Sequence, residues 1–207
     1  MIIKKSYNTE IANAIHQHLK FFEFPYHFVE HAGTFMFPMG FGGTATALIY
    51  HIVVRENTFT CVCRYPLGPS DEHTTDSMMR FLTSANYGLP MGSFEMDDDG
   101  KINAKTSCCC HGGVIPTDEM IAACIQVPIL LFEKYEPGIL NVLFHNWSPD
   151  EAIKQCEISE ESASSRKNPN AEEVKEAFSL RSFLHRRRSA HEPYAEEAEY
   201  TLVENDT

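Results

Sequence analysis

The stretch DSMMRFLTSANYGLPMGSFEMDDDGKINAKTSC, residues 76–108, reads as a helix followed by a β-hairpin. From Asp76 to Tyr87 the apolar residues Met78, Met79, Phe81, Leu82 and Ala85 recur at i, i+3, i+4 and i+7, which gathers them on one helical face. Thr74, Thr75 and Asp76 offer N-cap oxygens and an early negative charge. Gly88 stands where a left-handed residue ends a helix, and Pro90 forbids continuation. Beyond it the apolar period shortens to two. Phe94 and Met96 share a face, as do Ile102, Ala104, Thr106 and Cys108, while Lys101, Asn103, Lys105 and Ser107 point the other way. A loop of Asp98, Asp99 and Gly100, with Gly100 at positive φ, sets Met96 opposite Ile102 and Phe94 opposite Ala104. Both apolar rows then reach the same side.

The runs Phe81-Leu82-Thr83-Ser84-Ala85-Asn86-Tyr87-Gly88-Leu89, Gly92-Ser93-Phe94-Glu95-Met96-Asp97 and Asp99-Gly100-Lys101-Ile102 resemble the YbjN family. That bacterial family has a fold similar to type III secretion chaperones. The likeness is clearest over Arg64 to Lys105, and element order carries it to about Glu157. The resemblance implies a homodimer whose protomers share sheet or helix surfaces. Its motifs shape a fold and name no reaction.

Outward from this stretch, Asn8 or Thr9 caps a first helix carrying Ile11, Ile15, Leu19 and Phe22, closed by Pro25. Tyr26 to Glu30 and Thr34 to Phe37 read as extended, and Pro38-Met39-Gly40-Phe41-Gly42-Gly43 as an apolar turn between strands. It lacks the Gly-Lys-Ser/Thr of a phosphate loop. Ala45 to Arg55, apolar on both faces, suits a central strand, and Thr58 to Tyr65 returns beside it with Phe59, Cys61, Cys63 and Tyr65 on one face. Thr117 caps a third helix, which Pro128 should kink or divide and Pro137-Gly138 should break. Ser148-Pro149-Asp150-Glu151 is a capping box that opens a short helix to about Glu157.

The expected architecture is α+β, in the order α-β-β-β-α-β-β-α, with a single antiparallel sheet and helices mainly on one face. Residues 1–157 form this domain. Residues 158–207 form a polar linker and tail with one helix around 171–188, carried by Val174, Ala177, Phe178 and Leu184, between partly disordered segments.

A formal charge of −12 on 207 residues excludes a general nucleic-acid binder, which needs clustered Lys and Arg. Met1-Ile2-Ile3-Lys4-Lys5 is too short for a signal peptide, and no apolar run approaches a membrane span. Seven cysteines without scaffold spacing point to a reducing cytoplasm and free thiols.

Functional candidates reduce to two groups. Phe35, Met36, Phe37, Met39 and Phe41 form a Met- and Phe-rich, glycine-flanked run suited to an apolar partner surface. Cys108-Cys109-Cys110-His111 raises a thiol or metal chemistry, since Cys61 and Cys63 could meet Cys108 and Cys110 if their strands were adjacent. Strand spacing fits zinc poorly, because its ligand pairs usually sit in turns. Asp97-Asp98-Asp99-Gly100 is no calcium loop, since the twelfth position is Cys108 where Glu is needed. His51 reads as a core histidine, and Arg186-Arg187-Arg188 as cations complementing a helix end.

The expectation is a non-enzymatic, cytoplasmic binding protein, chaperone-like or a regulatory adaptor. It holds a protein or peptide segment, works without cofactor or metal, touches neither nucleic acid nor membrane, and forms a homodimer. The alternative is a thiol- or metal-dependent enzyme using Cys108 to His111.

Overall fold

A computed structural model of the chain describes residues 6–45 and 47–164, with side chains described as far as Glu157. The helix expected around 171–188 lies outside the described residues. The elements run α1 (Thr9–Phe21), β1 (His27–Val29), β2 (Thr34–Gly40), β3 (Ala47–Val54), β4 (Thr58–Arg64), α2 (Glu72–Asn86), β5 (Ser93–Met96), β6 (Ile102–Cys109), a 3-10 turn (His111–Gly113), α3 (Asp118–Phe144) and α4 (Pro149–Ser164). One six-stranded antiparallel sheet has the order β1-β2-β3-β4-β6-β5. Four strands rather than three precede α2, the extra one being the short β1.

The hairpin has the register its pattern demands: Met96 faces Ile102 and Phe94 faces Ala104. Gly100 turns it at φ 76°. Asn86, the last residue of α2, holds β5 from outside. Its side-chain amide donates to the Phe94 carbonyl at 2.9 Å and accepts from the Phe94 N–H at 2.7 Å. One side chain thus satisfies both backbone groups that an edge strand would leave open there. The helix itself begins earlier than expected, because Asp71 caps it by accepting from Thr74 N and Thr74 Oγ1, each at 2.8 Å. Met79, placed on the apolar face by spacing, is exposed at the rim of that face.

The helices pack against one side of the sheet. Phe35, Phe37, Leu48, Tyr50, Ile52, Val54, Phe59, Cys61, Cys63, Ile102 and Ala104 are buried beneath them. Tyr50 donates from its hydroxyl to the Ile125 carbonyl of α3 at 2.8 Å, and Phe94 meets Phe132 and Tyr135 of the same helix edge-on.

α3 corrects one expectation: it runs unbroken through both Pro128 and Pro137. A proline inside a helix costs about 3 kcal/mol. Ile125, Ile129, Phe132 and Ile139 are fully buried along this helix, and each such side chain contributes about 1.5–3 kcal/mol. Tertiary burial outweighs the local penalty. Gly138 does not break the helix either but lets its neighbours close in. A Cβ there would lie 2.5 Å from Phe81 on α2 and 2.9 Å from the Cys156 sulfur on α4.

The capping box opens α4 as expected, with Ser148 Oγ accepting from Glu151 N at 3.3 Å and Glu151 Oε2 accepting from Ser148 N at 3.1 Å. The helix continues to Ser164, past the expected linker start, through a run in which Glu157, Glu160, Glu161 and Ala163 favour helix.

Candidate functional site

Alternation along the strands gives the sheet a second face, which no described residue covers. Antiparallel partners point to the same side, so the registers assemble this face row by row. Thr34, Val53, Thr60 and Ser107 form one row; His27, Met36, His51, Val62 and Lys105 the next; Pro38, Ile49, Arg64, Asn103 and Glu95 a third. Its central apolar members are Met36, Ile49, Val53 and Val62, with Ile49 44% exposed. They surround His51: Met36 and Val62 flank it on the neighbouring strands, and Ile49 and Val53 lie two residues to either side of it along β3.

Polar contacts order the rim. Thr60 and Ser107 hydroxyls meet at 2.8 Å, and Arg64 Nε donates to Asn103 Oδ1 at 3.2 Å. Lys105 pairs with Glu95. Asn103, expected outward, does point that way but is buried beneath this network. His51 is half-buried on this face rather than in the core. Burial, and then the nearby Arg64 charge, lower its pKa, which keeps the imidazole neutral at pH 7.

The partner surface expected from Phe35, Met36, Phe37, Met39 and Phe41 is not where that run suggests. Phe35, Phe37, Met39 and Phe41 are buried, at 0 to 5% exposure, and only Met36 turns to the open face. The segment Pro38 to Gly40, expected in a loop, belongs to β2, and a period of two splits the run. Pro38 is tolerated because β1 pairs only Thr34 to Met36, leaving the far side of β2 unpaired at Pro38. Phe37 stacks on Tyr50 at 5.3 Å, and Phe35 packs against Phe28 at 4.4 Å.

The rest of the glycine-rich stretch is clamped from α3 by Glu136. This buried carboxylate accepts from Thr44 N and Ala45 N, both at 3.1 Å, and from the Tyr65 hydroxyl at 2.7 Å. Gly43 permits that approach, since a Cβ there would fall 1.9 Å from Glu136 Oε2. Burial, with the Glu136 bond and charge added, pushes the Tyr65 phenol far above its ordinary range. The carboxylate is engaged by loop backbone and a phenol that stays protonated, so its work is to hold the loop. Sequence reasoning missed it; the only trace is an acid set between Tyr135 and Pro137.

The cysteines do sit on adjacent strands. β4 pairs with β6, placing Cys61 opposite Thr106, Cys63 opposite Ala104 and Phe59 opposite Cys108. Yet Cys61, Cys63, Cys108 and Cys110 do not assemble a metal-holding set, and among the described residues no group of three or more His, Cys, Asp or Glu does. All seven cysteines are free thiols.

On the helical side, a cleft of about 580 Å³ lies between α1 and the start of α3, walled by Phe21, Ile115 and Pro116. At its edge Asp118 meets His18 Nδ1 at 2.9 Å. His18 is buried, and the desolvation that lowers its pKa outweighs the hydrogen bond and charge of Asp118, which raise it.

These features define an α+β protein with one packed and one open sheet face. Among the described residues no helix is long and apolar enough to cross a membrane. No protein-family model matches the chain, and no curated protein matches it.

Proposed function

We propose that this protein is a non-enzymatic binding module of the cytoplasm, a chaperone-like or regulatory adaptor of YbjN type. It holds a segment of another protein on the open face of its sheet. One observation carries the reading: Met36, Ile49, Val53 and Val62 gather around His51 on the open side of strands whose opposite face already supplies the core. Apolar side chains grouped on an open face and rimmed by polar residues mark interaction sites. Arg64, braced by Asn103, stands beside that patch. Its guanidinium favours an apolar segment that carries a carboxylate, a local attraction set against the chain's net charge of −12.

The test is an array of apolar peptides with and without a carboxylate, probed with the full chain and with Ile49→Asp and Met36→Asp. Binding that favours the carboxylate peptides and is lost in both variants, with melting unchanged, supports the assignment. Equal binding by all three proteins overturns it. So does a tight homodimer, seen by native mass, that buries this face against a second copy.

A further inference from the structure

The cleft between α1 and the start of α3 combines an apolar wall with an acidic rim, independently of the open sheet face. Phe21 and Ile115, which line it with Pro116, are 72% and 41% exposed. Asp118 and Glu119 line it as well, and among the described residues no Lys or Arg does. A hydrogen bond from Thr117 holds the Glu119 pKa below its ordinary value. His18, which meets Asp118 at 2.9 Å, is kept neutral at pH 7 by burial and cancels none of this charge. The N-terminal dipole of α3 amounts to about half a positive charge. Two carboxylates outweigh it, so the rim is negative.

The chain itself carries a segment of matching chemistry. Leu180, Phe183 and Leu184 recur at i, i+3 and i+4, and Arg181, Arg186, Arg187 and Arg188 stand among and after them with no acid between Ser179 and Ala190. In a chain of net charge −12, no other stretch of eight residues holds four Lys or Arg. Apolar side chains spaced in this way are what a groove between helices accepts, and the arginines complement the rim.

We propose that segment 180–188 occupies this cleft within its own chain, with Leu180, Phe183 and Leu184 against Phe21 and Ile115 and the arginines against Asp118 and Glu119. Reach does not limit it. Residues 165–179, which join the segment to α4, span about 50 Å when extended, while a domain of this size has a radius of gyration of about 15 Å. Tethering on that scale sets an effective concentration on the order of millimolar. An outside segment of the same basic and apolar chemistry must therefore displace the chain's own before it can bind.

The experiment builds a photoreactive side chain into the full chain, Phe183→p-benzoylphenylalanine, irradiates it at low and high protein concentration and maps the cross-links by mass. The expected product is a link within one chain from position 183 to a peptide containing Phe21 or Ile115, with a yield independent of concentration. Leu180→p-benzoylphenylalanine should reach the same two peptides. Arg186→Glu, Arg187→Glu and Arg188→Glu combined should lower the yield about tenfold, as three exposed charge reversals acting together. All these substitutions lie outside the described domain, so a lost link reports docking rather than unfolding. Links to the open sheet face, links only between chains, no link at all, or a yield indifferent to the charge reversals each overturns the proposal.

Discussion

Val62 and Cys63 are neighbours on β4, one peptide bond apart, and face different worlds. Cys63 is fully buried under the helices with Tyr50 and Ala104 as cross-strand partners; Val62 is half-exposed between His51 and Lys105. The same split runs through β2, where Phe35 and Phe37 enter the core and Met36 and Pro38 do not. On the covered face the positions are apolar and tightly packed, with buried Thr106 opposite Cys61 as the polar exception. On the open face apolar residues alternate with hydroxyls, a histidine and charged groups. Composition alone does not separate these surfaces; the parity of a residue along its strand does. The covered face holds the fold together, and the open face is left for recognition.

The sharpest way to break this contrast is truncation on the two faces of β2. Phe35→Ala should cost about 3–5 kcal/mol, the range for a fully buried aromatic. Met36→Ala should cost about 1 kcal/mol or less. Denaturant unfolding of both variants checks the pair, and similar losses would erase the distinction. Next comes the clamp that ties the loop after β2 to α3. Glu136→Ala leaves two backbone N–H groups and the Tyr65 hydroxyl without their acceptor and should cost about 3 kcal/mol. Tyr65→Phe removes one of those bonds and should cost about 1 kcal/mol.

A smaller effect appears with pH. The folded pKa of His18 lies below 6.5, so between those two values the unfolded chain binds more protons. The stability from holding His18 neutral is complete above pH 6.5 and is lost as pH falls through the folded pKa. Unfolding curves should therefore weaken with acidification in that window, and His18→Gln should flatten the slope. His51, lowered likewise on the open face, adds to the same trend. Least of all, Ile49→Ser should change stability by about 0.5 kcal/mol or less while reducing peptide binding.

Much of the fold was legible in the residues, and the parts that were not have physical reasons. The hairpin around Gly100 could be read to the residue, because period-two patterning and a tight turn leave a single register. The caps at Asn8, Thr117 and Ser148 could be read for the same local reason. Tertiary forces hid the rest. Pro128 and Pro137 argue locally for breaks, but the sheet and the flanking helices hold α3 continuous. Phe35 to Phe41 reads as one greasy surface until a strand splits it between two faces. Glu136 carried no motif at all, since its three partners come from segments more than 70 residues away in sequence.

The most direct measurement sets Val62→Asp beside Cys63→Asp in the full chain, recording melting and peptide binding for each. A charge at position 63 should unfold the protein, because it enters the packed interior. A charge at position 62 should leave melting close to wild type and abolish binding of the apolar peptides. A Val62→Asp protein that unfolds, or one that binds as wild type does, would contradict the assignment of the open face to recognition.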